Sequence, residues 1–292
     1  MRQHRQNIVL GIIGGSGVYK LKGINIIKQH HIRTPFGKPS SPVCEAVVCD
    51  NKMFFLARHG LTHSLLPSEI NYRANIYALK KLGVNTIVAI SAVGIMQPDI
   101  YPSDIIIPDQ LFDYTKGLRA STFFGKGCVA HVEFGEPFCS DLRKIVIRCA
   151  QKHASNVVSK GTLVIIEGPQ YSTLAESNFF RSALKPVAIG MTALPEAKLA
   201  KEAGICYALV AMATDYDCWH KSKETVNAKM VAQIMNKNFN IVSNIIKDIS
   251  HILCQSKKQC HCADVLQHAL LTPYENIPLS TKKNLKYILN AI

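Results

Sequence analysis

The sequence is poor in acidic residues, holds a single tryptophan and contains no long apolar run. Asp and Glu total 20 against 34 Lys and Arg, and the formal net charge is +14 at pH 7. Because no apolar run approaches the roughly 20 residues that a membrane-spanning helix needs, no membrane association is expected. The basic residues are scattered, without a dense block or interleaved aromatic residues, so a nucleic-acid partner is not expected either. The charge is interpreted as a solvated surface with a site for an anion.

The beginning of the chain lacks the features of a secretory signal. Its apolar part, residues 8–13, is short, has no small-residue cleavage site and runs into a glycine turn. It is interpreted as a first strand, and a cytoplasmic location is expected. The composition, 48% hydrophobic and 18% charged, is that of a globular protein.

Short β-branched apolar runs alternate with segments of helical spacing in the middle of the chain. Strands are predicted at 8–13, 46–49, 53–57, 86–90, 105–107, 162–166 and 205–212. Helices are predicted at 68–83, 194–204 and 224–253, with shorter helical segments at 263–271 and 281–292. Ser68 is the expected N-cap of the first helix and Gly83 its C′ residue. The pattern predicts an α/β fold of one domain, residues 1–292, in which a mixed twisted sheet is flanked by helices. The C-terminal helical segment, about 254–292, is expected to pack on it.

The ten cysteines do not form a recognisable ligand set. Several lie in apolar runs, where they behave as small hydrophobic residues. The motif "CHC", 260–262, lacks a second ligand pair at usable spacing, so no metal is expected. A CxC disulfide or free thiols are favoured. The segment "HVEFGEPFC" has the His and Glu of a zinc deaminase signature but not its paired cysteines.

Glycine-rich segments fail the nucleotide-binding motifs. Counted from Gly15, the third glycine of a dinucleotide fingerprint is Lys20, and a P-loop fails at Pro39. Ser16 is not a nucleophile elbow, because Val18 replaces the required glycine. What remains is a glycine turn whose N–H groups and Ser16 hydroxyl suit an anion, or a plain tight turn.

Two further strands are predicted to end in anion donors. "FFLARHG" ends in Arg58 and His59, which offer a planar fork of donors and a ring donor. "AISAVG" ends in Ser91 and Ala92, which leave room and free N–H groups for a ligand. Each of these ends alone also fits a solvated terminus.

Two later segments add polar and soft side chains. "IEGPQYST" carries Tyr171 and Ser172 after a glycine–proline turn. "GMTALPE" places Met191 and Thr192 before a helix, where Thr192 also suits an N-cap and Met191 core packing.

The segment "ATDYDCW" ends an apolar strand in two acids. Because side chains at i and i+2 of a strand share a face, Asp215 and Asp217 are expected to point together and Tyr216 away from them. Such a pair suits a metal site, an acid/base pair or a receiver of N–H donors. No histidine lies nearby, so the metal interpretation is not favoured.

Taken together, the chain resembles the S-methyl-5′-thioadenosine phosphorylases of the trimeric purine nucleoside phosphorylase family. The matching segments span nearly the whole chain in order: "GIIGGSG", "TPFGKPS", "LARHG", "INYRANIYALKKLG", "EPFC", "SKGTLVIIEGPQYST", "MTALPEAKLAKEAGICYALVAMATDYDCW" and "CHCADVLQHAL". The resemblance implies reversible phosphorolysis of S-methyl-5′-thioadenosine to adenine and 5-methylthioribose 1-phosphate, in purine and methionine salvage. It also implies a homotrimer that uses inorganic phosphate as co-substrate and needs no cofactor.

The resemblance assigns roles by motif. It implies that phosphate contacts Ser16, Arg58, His59, Ser91, Ala92 and Thr192. The nucleoside would contact Met191, Tyr171, Asp215 and Asp217, with Asp215 catalytic at N7 of the purine and Met191 on the ribose. Substrate specificity would depend on Ser172 and Ala228, and His131 would reach the 5′-alkylthio group from a neighbouring subunit.

Alternative functions remain open on the sequence. Carboxylates accept from the 6-amino group of adenine and meet a 6-oxo group badly, which favours 6-aminopurines. Ser16 stands where a Thr is also seen, which is a conservative departure. Ala228 stands where a larger apolar residue can occur, so the preference for the 5′-substituent stays open. The alternatives are a 6-oxopurine or broad-specificity phosphorylase of the same fold and a nucleoside-binding protein without turnover.

Overall fold

The structure is a computed structural model that describes residues 7–15, 25–48, 51–220, 228–256 and 260–290, without the side chains of 228–233 and 235–237. The strands in chain order are β1 (Leu10–Gly14), β2 (Asn25–His30), β3 (Val43–Val48), β4 (Asn51–Ala57), β5 (Thr86–Ile95), β6 (Ile105–Ile106), β7 (Gln110–Tyr114), β8 (Val157–Val158), β9 (Thr162–Ile166), β10 (Ala188–Gly190) and β11 (Cys206–Tyr216). The helices are α1 (Tyr72–Lys81), α2 (Ser140–His153), α3 (Leu174–Ala183), α4 (Ala193–Glu202), α5 (Ala228–Gln255), α6 (Leu279–Asn284) and α7 (Lys286–Leu289). The predicted single-domain mixed sheet flanked by helices is confirmed.

The centre of the sheet is parallel and fully buried. β4, β1, β5 and β11 pair in parallel, and their residues are almost all inaccessible to solvent. Strands covered on both faces read as continuous apolar runs, which is why the sequence predicts all four of them. The prediction 86–90 covers only the first half of β5, and the prediction 205–212 ends before the last four residues of β11.

The edge of β5 changes partner halfway along the strand. Residues 86–89 pair with β1, whereas Gly94 and Ile95 pair antiparallel with β10. Within the described residues no strand pairs with this edge at 90–93. A gap in the middle of the sheet therefore opens beside Ser91 and Ala92, beyond the carboxyl end of β1.

Helices cover both faces of the sheet and separate two hydrophobic cores. One face carries α1 and α4, whose core includes Ile76, Leu79 and Leu199. The other carries α2 and α5, with Val146 and Ile245 in its core. Predicted helices 68–83, 194–204 and 224–253 correspond to α1, α4 and α5, although residues 224–227 lie outside the described residues.

Several boundaries differ from the prediction. Asn71 and not Ser68 caps α1, since its side chain accepts from the Ala74 N–H, while Gly83 adopts the expected positive φ of +87°. The C-terminal segments are shorter than predicted, with a 3-10 turn at Cys262–Asp264 followed later by α6 and α7. Leu285 and Ile288 of this segment pack in the same core as α1.

Cys260 and Cys262 are free thiols in the structure, so of the two predicted states the CxC disulfide is not formed. None of the described helices is long and apolar enough to cross a membrane.

Candidate active site

A pocket opens at the gap in the sheet and collects residues from separate strand ends. Its wall includes Gly15 after β1, Arg58 after β4, Ser91 and Ala92 of β5, and Asp215 at the end of β11. Parallel strands bring their carboxyl ends to one edge, so residues far apart in sequence meet there. The other predicted residues that line it are His59, Tyr171, Ser172, Met191, Thr192 and Asp217.

Arg58 enters the pocket already paired. Its side chain is buried, and Nε and Nη2 donate to the two carboxylate oxygens of Glu196 at 2.8 and 2.9 Å. Nη1 donates to the Ile90 carbonyl at 3.0 Å. Burial opposes the charge, but Glu196 holds the pKa of Arg58 above its usual value. A guanidinium has five N–H groups, so one on each Nη is left for a ligand.

His59 differs from the expected donor. Its Nδ1 lies 2.9 Å from the carbonyl of Leu65, which can only accept, so the ring proton sits on Nδ1. Burial lowers the pKa of His59 to about 4, and the Arg58 charge acts in the same direction. The ring is therefore neutral above about pH 5 and offers Nε2 as an acceptor, suited to a hydroxyl of a partly protonated anion.

Ser91 and Thr192 contribute hydroxyl groups to the pocket that Arg58 also lines. Their hydroxyl oxygens are 3.0 Å apart, and both residues are buried. Thr192 stands at the N-cap position of α4, yet its side chain caps no helix N–H. The predicted N-cap position of Thr192 is therefore confirmed, but its hydroxyl faces Ser91 in the pocket instead of capping the helix.

The segment after β9 closes one side of the pocket and positions Met191. Gly168 has φ +68°, and a Cβ there would lie 2.5 Å from the Met191 sulfur. The buried Arg119 stabilises this arrangement. Its guanidinium donates to the carbonyl oxygens of Glu167 and Met191 and forms an ion pair with the Glu167 carboxylate. Close approach and left-handed backbone together require glycine at 168.

Gly168→Ala is expected to raise KM for the nucleoside several-fold, because the new methyl displaces Met191 in addition to straining the backbone by roughly 1–2 kcal/mol. Gly83→Ala is the matched control, since Gly83 has φ +87° with nothing within 4 Å of its would-be Cβ. Steady-state kinetics and thermal unfolding of both variants separate the effects. A KM that rises equally in the two variants would contradict a positioning role for Gly168.

The two acids of "ATDYDCW" both reach the pocket. β11 carries a register shift between Ala213 and Asp215, after which Asp215 lies opposite Gly94 of β5. Asp217 follows the end of the strand, and its N–H donates to Ile95 at 3.1 Å. Tyr216 turns away from the pocket and stacks on His220 with ring centroids 4.1 Å apart.

Burial makes both carboxyls reluctant to ionise. It raises the pKa of Asp215 to about 6, against a 2.5 Å hydrogen bond from the Thr214 hydroxyl and with a further rise from the Asp217 charge. Burial also raises the pKa of Asp217. Asp215 can therefore carry a proton near neutral pH, which is the property that a proton donor needs.

Three buried polar atoms at this end of the pocket have no hydrogen-bond partner among the described residues. They are Asp217 Oδ2, Ser172 Oγ and, on α3, Ser177 Oγ, whose hydroxyl lies near enough to the Asp217 carboxyl to lower its pKa against the effect of burial. Unsatisfied buried groups are costly, and those that persist mark a place for a ligand or water. The arrangement suits a flat polar ligand that brings its own donors.

The remaining predicted residues are not assembled here. Ser16 lies outside the described residues, and Ala228 begins α5 with its side chain outside the description. His131 does not line the pocket, and its N–H donates to the Ala269 carbonyl. Its predicted contact needs a neighbouring subunit and stays a prediction.

Sequence reasoning missed Glu196, Arg119 and Gly94. Glu196 was visible in "GMTALPE", but nothing local shows that it neutralises Arg58 across 138 residues. Gly94 allows the close approach of β10, as a Cβ there would lie 3.0 Å from Ile189 Cγ2. A capping box at Thr173 and Glu176, which starts α3, was a readable signal in "STLAE".

A family model described as the phosphorylase superfamily matches residues 9–249. The chain belongs to this superfamily. The match includes every strand end that lines the pocket, from Gly15 to Asp217.

Individual members of the superfamily are similar over nearly the whole chain. The S-methyl-5′-thioadenosine phosphorylase of Geobacter sulfurreducens is 45% identical over 283 residues, covering 97% of this chain and 98% of that protein. A methylthioadenosine phosphorylase from an antarctic soil metagenomic library has a TM-score of 0.91 at 42% identity, with 97% and 99% of the chains covered. The Schistosoma mansoni methylthioadenosine phosphorylase in complex with adenine has a TM-score of 0.81 at 32% identity, with 98% and 99% covered.

Proposed function

We propose that the protein is an enzyme, a pentosyltransferase that cleaves S-methyl-5′-thioadenosine reversibly with inorganic phosphate. The products are adenine and 5-methylthioribose 1-phosphate. The observation that carries the proposal is the division of one pocket into an anion end and a base end. Arg58, Ser91 and Thr192 supply donors at the first, and Asp215 and Asp217 stand at the second. The names of the similar proteins support the same substrate.

At the anion end, phosphate would be held more by donors than by net charge. Among the described lining residues, the Arg58 charge is compensated by Glu196 and His59 is neutral. The two unused guanidinium N–H groups, the Ser91 and Thr192 hydroxyls and the open edge of β5 provide hydrogen bonds. Such preorganised donors orient one phosphate oxygen towards the sugar without strong attraction for other anions. Ser16 and Ala92 complete this site in the proposal.

At the base end, Asp215 would donate its proton to N7 of the purine. As the C1′–N9 bond breaks, the purine takes the electron pair and the developing charge is neutralised at N7. A phosphate oxygen forms the new bond to C1′, where its charge also stabilises the oxocarbenium-like state. Asp217 Oδ2, which has no partner in the described residues, would accept from the 6-amino group. Met191 and Tyr171 would contact the sugar and base, and Ser172 would affect substrate choice.

We also propose a cytoplasmic homotrimer that acts in purine and methionine salvage and requires no cofactor beyond phosphate. In this arrangement His131 of a neighbouring subunit and Ala228 would border the 5′-methylthio group.

The function is tested by comparing methylthioadenosine, adenosine and inosine with and without phosphate. Adenine should appear from methylthioadenosine only when phosphate is added, together with 5-methylthioribose 1-phosphate. The kcat/KM for inosine should be at least about 100-fold lower than that for adenosine, because the 6-oxo group of inosine leaves the Asp217 carboxylate unpaired. Similar turnover of inosine would establish a broad phosphorylase instead, and binding without release of adenine would exclude an enzyme.

A further inference from the structure

Four cysteines from three distant parts of the chain meet on the face of the sheet that carries α2 and α5. Cys139 precedes α2, Cys206 begins β11, and Cys260 and Cys262 form the CxC turn that opens the C-terminal segment. The four Sγ atoms all lie within 4.8 Å of one another. No second ligand pair is recognisable beside the CxC motif in the sequence, but the fold supplies one as Cys139 and Cys206.

The spacing of the sulfurs matches a tetrahedral thiolate site. With metal–sulfur bonds of about 2.3 Å, a tetrahedron has sulfur–sulfur edges of about 3.8 Å. Here the Cys206 and Cys260 sulfurs are 3.0 Å apart, and every other pair lies within the 4.8 Å limit. Movements of under about an ångström would therefore bring all four sulfurs to one ion.

The backbone around the thiols is built for their close approach. Cys139 occupies the N-cap position of the 14-residue helix α2, where partial positive charge favours a thiolate. On the other side Gly204 has φ +64°, and a Cβ there would lie 3.3 Å from the carbonyl oxygens of Cys262 and Ala263. The turn between α4 and β11 thus presses against the CxC turn.

The surroundings suit a structural site with access for an ion. Cys139 and Cys206 are buried, Cys260 and Cys262 are half-buried, and a pocket beside them is lined by apolar residues such as Leu142, Ile145 and Leu253. The apolar side chains limit water around the thiolates, and the pocket, which Asp141, Gln255 and Ser256 also line, leaves an entry path.

We propose that Cys139, Cys206, Cys260 and Cys262 bind one Zn²⁺ ion as a closed structural centre. Four soft thiolates in tetrahedral reach of one another select zinc over magnesium or calcium, and with four protein ligands no position is left for catalysis. Binding replaces four S–H protons by the metal, so protons are released and nothing is oxidised or reduced. The ion would join the start of α2, the start of β11 and the C-terminal segment. The phosphorolysis pocket contains none of these residues.

The test uses the full chain purified under reducing conditions. Elemental analysis should find about one zinc per chain in the wild type and in Cys254→Ser, an exposed thiol near the end of α5 that serves as matched control. The double variant Cys260→Ser, Cys262→Ser should retain less than about a tenth of that zinc. Removal of zinc by a chelator should lower the Tm of the wild type and of Cys254→Ser and leave the double variant unchanged.

A second measurement does not depend on the variants. Wild-type protein, reduced and stripped of metal, should take up Co²⁺ with the sulfur charge-transfer and tetrahedral ligand-field bands of a tetrathiolate, and Zn²⁺ should displace it. The proposal fails if the reduced wild type binds neither ion. It also fails if thiol titration and intact mass show that these cysteines pair as disulfides in the protein as purified.

Discussion

Asp215→Asn is expected to lower kcat for phosphorolysis of methylthioadenosine by about 10²–10⁴-fold, the usual contribution of a positioned general acid. Asn preserves the shape of the side chain and the acceptor for the Thr214 hydroxyl, but it has no acidic proton for N7. In the wild type, kcat/KM should decline as the pH rises through about 6, since the free enzyme then loses the Asp215 proton. This decline should be absent from the variant, whereas the ionisation of phosphate affects both proteins alike.

The same substitution is expected to stabilise the protein at alkaline pH. Because the pKa of Asp215 is raised from 3.8 to about 6, the folded protein binds this proton more tightly than the unfolded chain does. The resulting stabilisation is complete below about pH 3.8 and is lost as the pH rises through about 6. Above that, burial of the ionised carboxylate costs up to about 3 kcal/mol, which the neutral Asn avoids. Urea unfolding should show the gain at pH 8 and little at pH 4.

Glu202→Gln provides the matched control. Glu202 is a buried carboxyl whose pKa burial raises to about 7, and it accepts from the Phe123 N–H outside the pocket. It should share the stability gain at pH 8 and leave kcat unchanged. If Asp215→Asn keeps full activity, or if it gains no stability at pH 8 while Glu202→Gln does, Asp215 is not the buried proton donor.

The parts of this site that the sequence predicts are those that end buried strands. Arg58, Ser91 and Asp215 each follow or interrupt an apolar run, and parallel strands bring such ends together. The sheet was readable for the same reason. Four strands were missed: β2 is almost wholly exposed, β7 is exposed or half-buried, and β8 and β10 have only two and three residues. The helices α2 and α3 were not predicted either.

The features that the sequence does not predict depend on contacts between residues that are distant in the chain and that no local sequence pattern marks. Glu196 lies in a helix where a glutamate is unremarkable, and its role comes only from its contact with Arg58. The cysteine cluster joins positions more than fifty residues apart, and no spacing rule covers Cys139, Cys206 and the CxC turn. His59 is predicted as a donor, whereas its ring proton is directed to the Leu65 carbonyl, which lies in a loop without a recognisable pattern.

Glu196→Gln is expected to destabilise the phosphate-free protein by about 3–5 kcal/mol, because it leaves the Arg58 charge buried without a counter-charge. Gln retains an oxygen for the Tyr207 hydroxyl, which now donates to Glu196 at 2.9 Å, so the loss is mainly electrostatic. The uncompensated guanidinium should bind phosphate more tightly than the wild-type pair does. Added phosphate should therefore recover about 2–3 kcal/mol at concentrations near 100 times Kd.

Two further variants distinguish this coupling from general damage. Arg58→Met removes the donors to phosphate and should be less stable than the wild type. Its KM for phosphate should rise by at least about 10-fold, and added phosphate should not restore its stability. Glu167→Gln breaks a second buried ion pair, the one with Arg119, and neither residue lines the pocket. It should be destabilised without any extra response to phosphate.

Tm measured over a phosphate series should thus rise most steeply for Glu196→Gln. If Tm rises equally with phosphate concentration in Glu196→Gln and Glu167→Gln, Glu196 does not set the charge of the anion site. Its carboxylate would then serve only to hold the Arg58 side chain in position.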